Sequence, residues 1–216
     1  MVDEQFKILT QFMILSHELE SQQKEEIENS YTYFRLCYSY LEFKWIRECI
    51  SRNAYHQAIR EMRFVLDSIV QAYYIDKEHL GTKMSCKLEI VKELDRFRQG
   101  QFIGHTDLKK DDRSVLKGLY GEFCQYVHPS YKEITTLQAR SEKELKSLEF
   151  EPDPQMKEIC SDLLNRTMDA VFYVALSLFP EISRPPKKFA KMGASFQRSA
   201  KALGLKLTSD KWLHEP

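Results

Sequence analysis

Arginine and aspartate stand four residues apart, at Arg63 and Asp67, inside the segment AIREMRFVLDSIVQAYY. On a helix advancing about 100° per residue, Arg63 falls about 65° from the centre of the apolar stripe and Asp67 follows one turn later. A guanidinium held by a carboxylate at the edge of a core is a fixed cationic fork, suited to phosphate. His128 ends a second segment, LYGEFCQYVHPS, where the negative end of the helix dipole favours the imidazolium. If the two helix ends meet, Arg63, Asp67 and His128 form one polar site. The plainer alternative is an ion pair at the rim of a bundle and a histidine that caps a helix.

A second cationic feature is the C-terminal stretch. From Arg184 onward there are eight Lys/Arg against two Asp/Glu, which leaves the rest of a formally neutral chain acidic by six. Lys187, Lys188, Lys191, Arg198 and Lys201, interleaved with Phe189 and Phe196, are of the types that contact phosphates while aromatic rings stack on bases. Self-docking on the acidic body is the competing reading. Metal chemistry finds no support: neither Glu-x-x-His nor H-E-x-x-H occurs, and the Cys and His spacings fit no zinc pattern. Phosphate-cradling glycine motifs and the G-x-S-x-G elbow are absent too. No cofactor and no metal is expected.

The elements that would position these residues are helices. Seven Gly and seven Pro in 216 residues favour long helices over a fold needing frequent turns. Phe6, Leu9, Phe12, Met13 and Leu19 recur at helical spacing over residues 3–22, and residues 31–50 form a helix so aromatic that contact on more than one side is expected. Asn53 is expected to cap the next helix by accepting from its first N–H groups. That helix carries the stripe Ile59, Met62, Leu66, Ile69, Val70 and Tyr73. A helix over 82–97 is expected to bury Met84, Leu88, Val91 and Leu94, and Gly100 and Gly104 mark a loop. Asp111 and Asp112 open a further helix, closed at His128-Pro129. Residues 131–154 read as irregular or a short hairpin, and a last helix runs from 153 or 154 to 178, closed by Pro180.

The fold expected is therefore all-α: a bundle of five to six helices over 1–182, with a small irregular or hairpin insertion, followed by a basic tail over 183–216. The longest apolar run is about half a bilayer crossing, and the acidic, amphipathic start does not resemble a secretory signal. A cytoplasmic protein without membrane contact is the expectation. Five scattered cysteines without C-x-x-C read as reduced, mostly buried thiols.

An Arg-and-acid helix, a later helix ending in Tyr126-x-His128-Pro129-Ser130, and a final helix ending in Phe179-Pro180 together resemble the HEPN (higher eukaryotes and prokaryotes nucleotide-binding) superfamily, over roughly residues 31–180. The resemblance implies an all-α bundle, dimerisation and association with RNA, and, in its active members, metal-independent RNA cleavage by an Arg and a His with four to six residues between them. The positions four to seven before His128 are Cys124, Phe123, Glu122 and Gly121, so that motif is incomplete. Association with RNA without catalysis is the leading expectation. The alternatives are an interaction or scaffold module that dimerises through the aromatic helix, and a metal-independent ribonuclease.

Overall fold

A computed structural model describes residues 28–94, 102–127 and 152–178. They form six helices, α1 (Tyr31–Ser51), α2 (Tyr55–Glu78), α3 (Met84–Leu94), α4 (Phe102–His105), α5 (Lys110–Val127) and α6 (Pro154–Leu178), with no strand among the described residues. The segments expected at 3–22, at 131–150 and in the tail lie outside the described residues.

α2 is the hub, packed on by α1, α6, α5, α4 and α3. Its sequence explains why. Ile59, Met62, Leu66, Ile69, Val70 and Tyr73 are all buried, and Ala58, Val65 and Ala72 widen the stripe enough to serve several neighbours. α1 contributes Leu36, Phe43 and Ile46, α5 contributes Leu116, Leu119 and Phe123, and α6 contributes Cys160, Leu163, Leu164, Met168 and Val171. Each fully buried side chain of this size stabilises the fold by about 1.5–3 kcal/mol.

Three local expectations are corrected. Gly104, expected in a loop, lies within the one-turn helix α4. Asn53 does not cap α2: the N-cap is Ala54, without a side-chain bond. Asn53 instead takes the left-handed conformation at φ 61°, which asparagine tolerates better than most residues, and its Oδ1 accepts from the Tyr55 hydroxyl at 2.9 Å. The chain turns here within three residues, and a left-handed position does that more tightly than an extended cap. α3 does not bury the expected apolar set either. Leu88 is exposed, Met84, Val91 and Leu94 are half-buried, and the buried residue is Lys87.

Lys87 is buried because it has partners. Its Nζ donates to Asp76 Oδ1 at 2.8 Å and to the Asn29 carbonyl at 2.7 Å. The Asp76 carboxylate also accepts from the Ser30 hydroxyl at 2.8 Å, from the Tyr31 N–H at 3.0 Å and from the Thr32 N–H at 2.8 Å. One buried carboxylate on α2 therefore holds α3 through an ion pair and satisfies N–H groups at the start of α1, where the helix dipole favours negative charge.

Buried phenols tie the remaining helices. Tyr73 on α2 donates to Asp107 at 2.5 Å, and Tyr173 on α6 donates to the buried Asp112 in the first turn of α5. Burial first, and the adjoining carboxylate second, push both phenols well above their ordinary value. A group held protonated more tightly folded than unfolded supports the fold fully below its unfolded pKa and loses that support as pH rises through the folded value. Stability is thus expected to fall above pH about 10, by about 1 kcal/mol per tyrosine by pH about 11. Urea denaturation at stepped pH checks this, and Tyr73→Phe should flatten the slope.

The five cysteines are unpaired: Cys49 and Cys160 are buried, Cys37 and Cys124 half-buried, and Cys86 exposed. Burial fits the first two to core packing, and burial raises the Cys160 thiol to about 12. Among the described residues no helix is long and apolar enough to cross a membrane.

Candidate functional site

Arg63 and Asp67 occupy the half-buried rim of α2. The partner that the sequence reading missed is Tyr120, on α5. Arg63 donates to the Tyr120 hydroxyl oxygen from Nε at 3.1 Å and from one terminal nitrogen at 2.7 Å, and the guanidinium carbon lies 4.8 Å from the centre of the ring. Two adjacent N–H groups, the edge that would grip a phosphate bidentately, converge on one phenol oxygen. Burial, and next the charge of Asp67, push the Tyr120 phenol up against the opposing pull of Arg63, so it stays neutral at physiological pH. The arrangement does the work of a clamp between α2 and α5. Tyr120 belongs to the apolar stripe of its own helix, and the available signal was that a half-buried tyrosine hydroxyl requires a polar partner.

α5 is braced at two further points, once to α2 and once to α6. His56 Nδ1 lies 3.2 Å from the Tyr126 carbonyl, and Arg166 on α6 pairs with Glu122 on α5 at 2.8 Å. His128 lies outside the described residues, as do Lys187, Lys188, Lys191, Arg198 and Lys201. Of the expected polar site, Arg63 and Asp67 are among the described residues, and Tyr120, which was not expected there, is bonded to Arg63. No group of His, Cys, Asp and Glu with the geometry to hold a metal occurs among the described residues.

A second surface stands out on the outer side of α1. Phe34, Tyr38, Leu41 and Trp45 are between 49 and 58 % exposed, and at about 100° per residue they form one stripe roughly opposite the buried Leu36, Phe43 and Ile46. A helix apolar on two faces has one face more than its own fold uses. Phe64 on α2, 47 % exposed, adjoins the stripe. The Arg35 guanidinium carbon sits 5.3 Å from the Tyr38 ring centre and 5.4 Å from that of Phe64.

Two ion pairs border this stripe, and Lys44 Nζ lies 4.6 Å from the centre of the Tyr40 ring. Arg35 donates to both oxygens of Glu42 at 2.7 Å, with both side chains nearly buried, and Arg52 pairs with Glu48 at 2.5 Å. The surface is thus aromatic and exposed, with Arg35 and Arg52 each paired to a carboxylate. Such a face suits contact with protein, because aromatic side chains are enriched where proteins meet.

The chain matches no protein-family model, and it matches neither a curated protein nor a solved structure.

Proposed function

We propose that this chain is a helical protein-protein interaction module whose docking face is the outer surface of α1. The observation that carries the reading is the exposed stripe Phe34, Tyr38, Leu41 and Trp45. Exposed apolar patches of several large side chains mark interaction sites, and aromatic residues supply most of the energy in such contacts. The test compares the full-length chain with its Trp45→Glu variant, tagged and at low concentration in cell extract, by sedimentation. The wild type is expected to sediment as an assembly and the variant as a monomer; identical sedimentation of the two overturns the reading.

A second reading, association with RNA, is supported by the charge of the tail, eight Lys/Arg against two Asp/Glu. It predicts RNA affinity that falls steeply with salt and is lost in a chain truncated after Ser183. Fluorescence anisotropy with a mixed single-stranded RNA pool at two salt concentrations checks it. Cleavage requires a phosphate-directed cation as well as His128. The Nε edge of Arg63 is directed at Tyr120, so the reading carried forward is binding rather than catalysis.

A further inference from the structure

We infer that the occupant of the α1 face is a single amphipathic helix of another protein, with acidic residues flanking its apolar side. The inference rests on the docking reading above and goes beyond it by naming the chemistry of the partner.

The apolar centre sets the shape. Phe34, Tyr38, Leu41 and Trp45 are separated by four, three and four residues, the seam spacing along which one helix packs on another. From Phe34 to Trp45 the helix rises about 16 Å, or about three turns. Aromatic side chains bury about 150–250 Å² each, so the four stripe residues and Phe64, each about half exposed, offer roughly 400–500 Å². That is about half of what each partner gives up in a stable pair of folded domains, and it matches the apolar side of one helix laid along the stripe.

Charge sets the composition. At about 100° per residue Lys44 flanks the stripe on one side, as Arg35 and Glu42 do on the other. Arg60 stands one turn before Phe64 on the same face of α2. Because α2 packs on α1 after a short turn and so runs antiparallel to it, Arg60 flanks the end of the stripe that holds Leu41 and Trp45. Lys44 and Arg60 are exposed, and neither meets a carboxylate among the described residues. The carboxylates at this border, Glu42 and Glu48, are already taken by Arg35 and Arg52. An occupant that buries its apolar side here therefore gains by bringing carboxylates to Lys44 and Arg60 and loses by bringing ammonium groups. The seam spacing, and Leu41, which offers no ring for a base to stack on, favour a helix over a nucleic-acid strand.

The test is fluorescence anisotropy of two synthetic helical peptides, each long enough to span the stripe, with the purified full-length chain at low salt. Both carry leucine at alternating gaps of four and three residues; one has glutamate and the other lysine at the flanking positions. The glutamate peptide is expected to bind at least about tenfold more tightly, and Trp45→Ala to weaken it at least about thirtyfold. Lys44→Glu combined with Arg60→Glu should reverse the preference. Unchanged thermal unfolding by circular dichroism shows that the variants are folded.

A preference for glutamate that survives the double variant belongs to the basic tail rather than to this face and overturns the inference, as does binding that survives Trp45→Ala. Single-stranded RNA that binds only while Trp45 is present would put nucleic acid on the face, and self-association of the pure chain through Trp45 would put a second copy there; either overturns it. If neither peptide binds while Trp45→Glu still disrupts assembly in extract, an acidic helix is the wrong occupant and the function reading stands. If assembly in extract is unaffected as well, both fall.

Discussion

Asp76→Ala is expected to destabilise the fold by about 3–5 kcal/mol, a large part of the stability of an ordinary domain. The carboxylate is 2 % exposed and serves four donors at once: Lys87 Nζ, the Ser30 hydroxyl and the N–H groups of Tyr31 and Thr32. Its removal leaves the Lys87 ammonium buried with the Asn29 carbonyl at 2.7 Å as its remaining contact in this network. It also leaves N–H groups at the start of α1 without an acceptor, and a buried group stripped of its partner costs far more than the net gain of an ordinary hydrogen bond. Asp76→Leu combined with Lys87→Met should cost less than Asp76→Ala alone, because it removes both charges together. Urea denaturation of the three chains measures this; a loss below about 1 kcal/mol for Asp76→Ala would mean the carboxylate is not the shared anchor of α1 and α3.

The second large effect separates the two faces of α1. Phe43→Ala is expected to cost about 3–5 kcal/mol through lost burial and the cavity left behind, since Phe43 is fully buried in the core. Trp45→Ala, two residues away, should fall within about 0.5 kcal/mol of the wild type under conditions where the chain is monomeric, although tryptophan is the larger residue. Denaturation midpoints of the two variants at low protein concentration decide the matter. Equal losses would mean that Trp45 is part of the fold's own core and that α1 has no spare face.

Much of this architecture was legible in the sequence because burial on one side of a helix leaves a periodic trace. The α2 stripe from Ile59 to Tyr73 and the acidic first turn of α5 are of this kind, and so is the span of α6. The aromatic density of α1 corresponds to one buried face and one exposed face. What periodicity does not carry is which residue a neighbour's charge will permit inside. α3 shows Met84, Leu88 and Val91 at helical spacing, yet Lys87 is the buried residue, because Asp76 of α2 stands opposite with a compensating charge. That pairing joins positions eleven residues apart, on two helices linked by a turn, and no single-helix pattern contains it. Asn53 illustrates the same limit at a turn, where asparagine serves equally as an extended cap and as a left-handed hinge, and the short connection selected the hinge.

The candidate polar site was legible in half. Arg63 and Asp67 do stand at the rim of α2, as the helical wheel places them. The destination of the guanidinium, the Tyr120 hydroxyl, was hidden because Tyr120 reads as one more apolar member of the α5 stripe. That partner changes the chemistry of the pair, turning a fork suited to phosphate into a link between helices.

The central claim, that the outer face of α1 is a docking surface, is tested most directly by hydroxyl-radical oxidation of Tyr38 and Trp45. The rates are compared in the full-length chain, purified and dilute, and in the same chain within cell extract, with the buried Phe43 as an internal reference. Fast oxidation of both residues in the dilute chain and strong protection in extract, with Phe43 slow throughout, is the result this account predicts. Equal rates for Tyr38 and Trp45 in the two settings would contradict it.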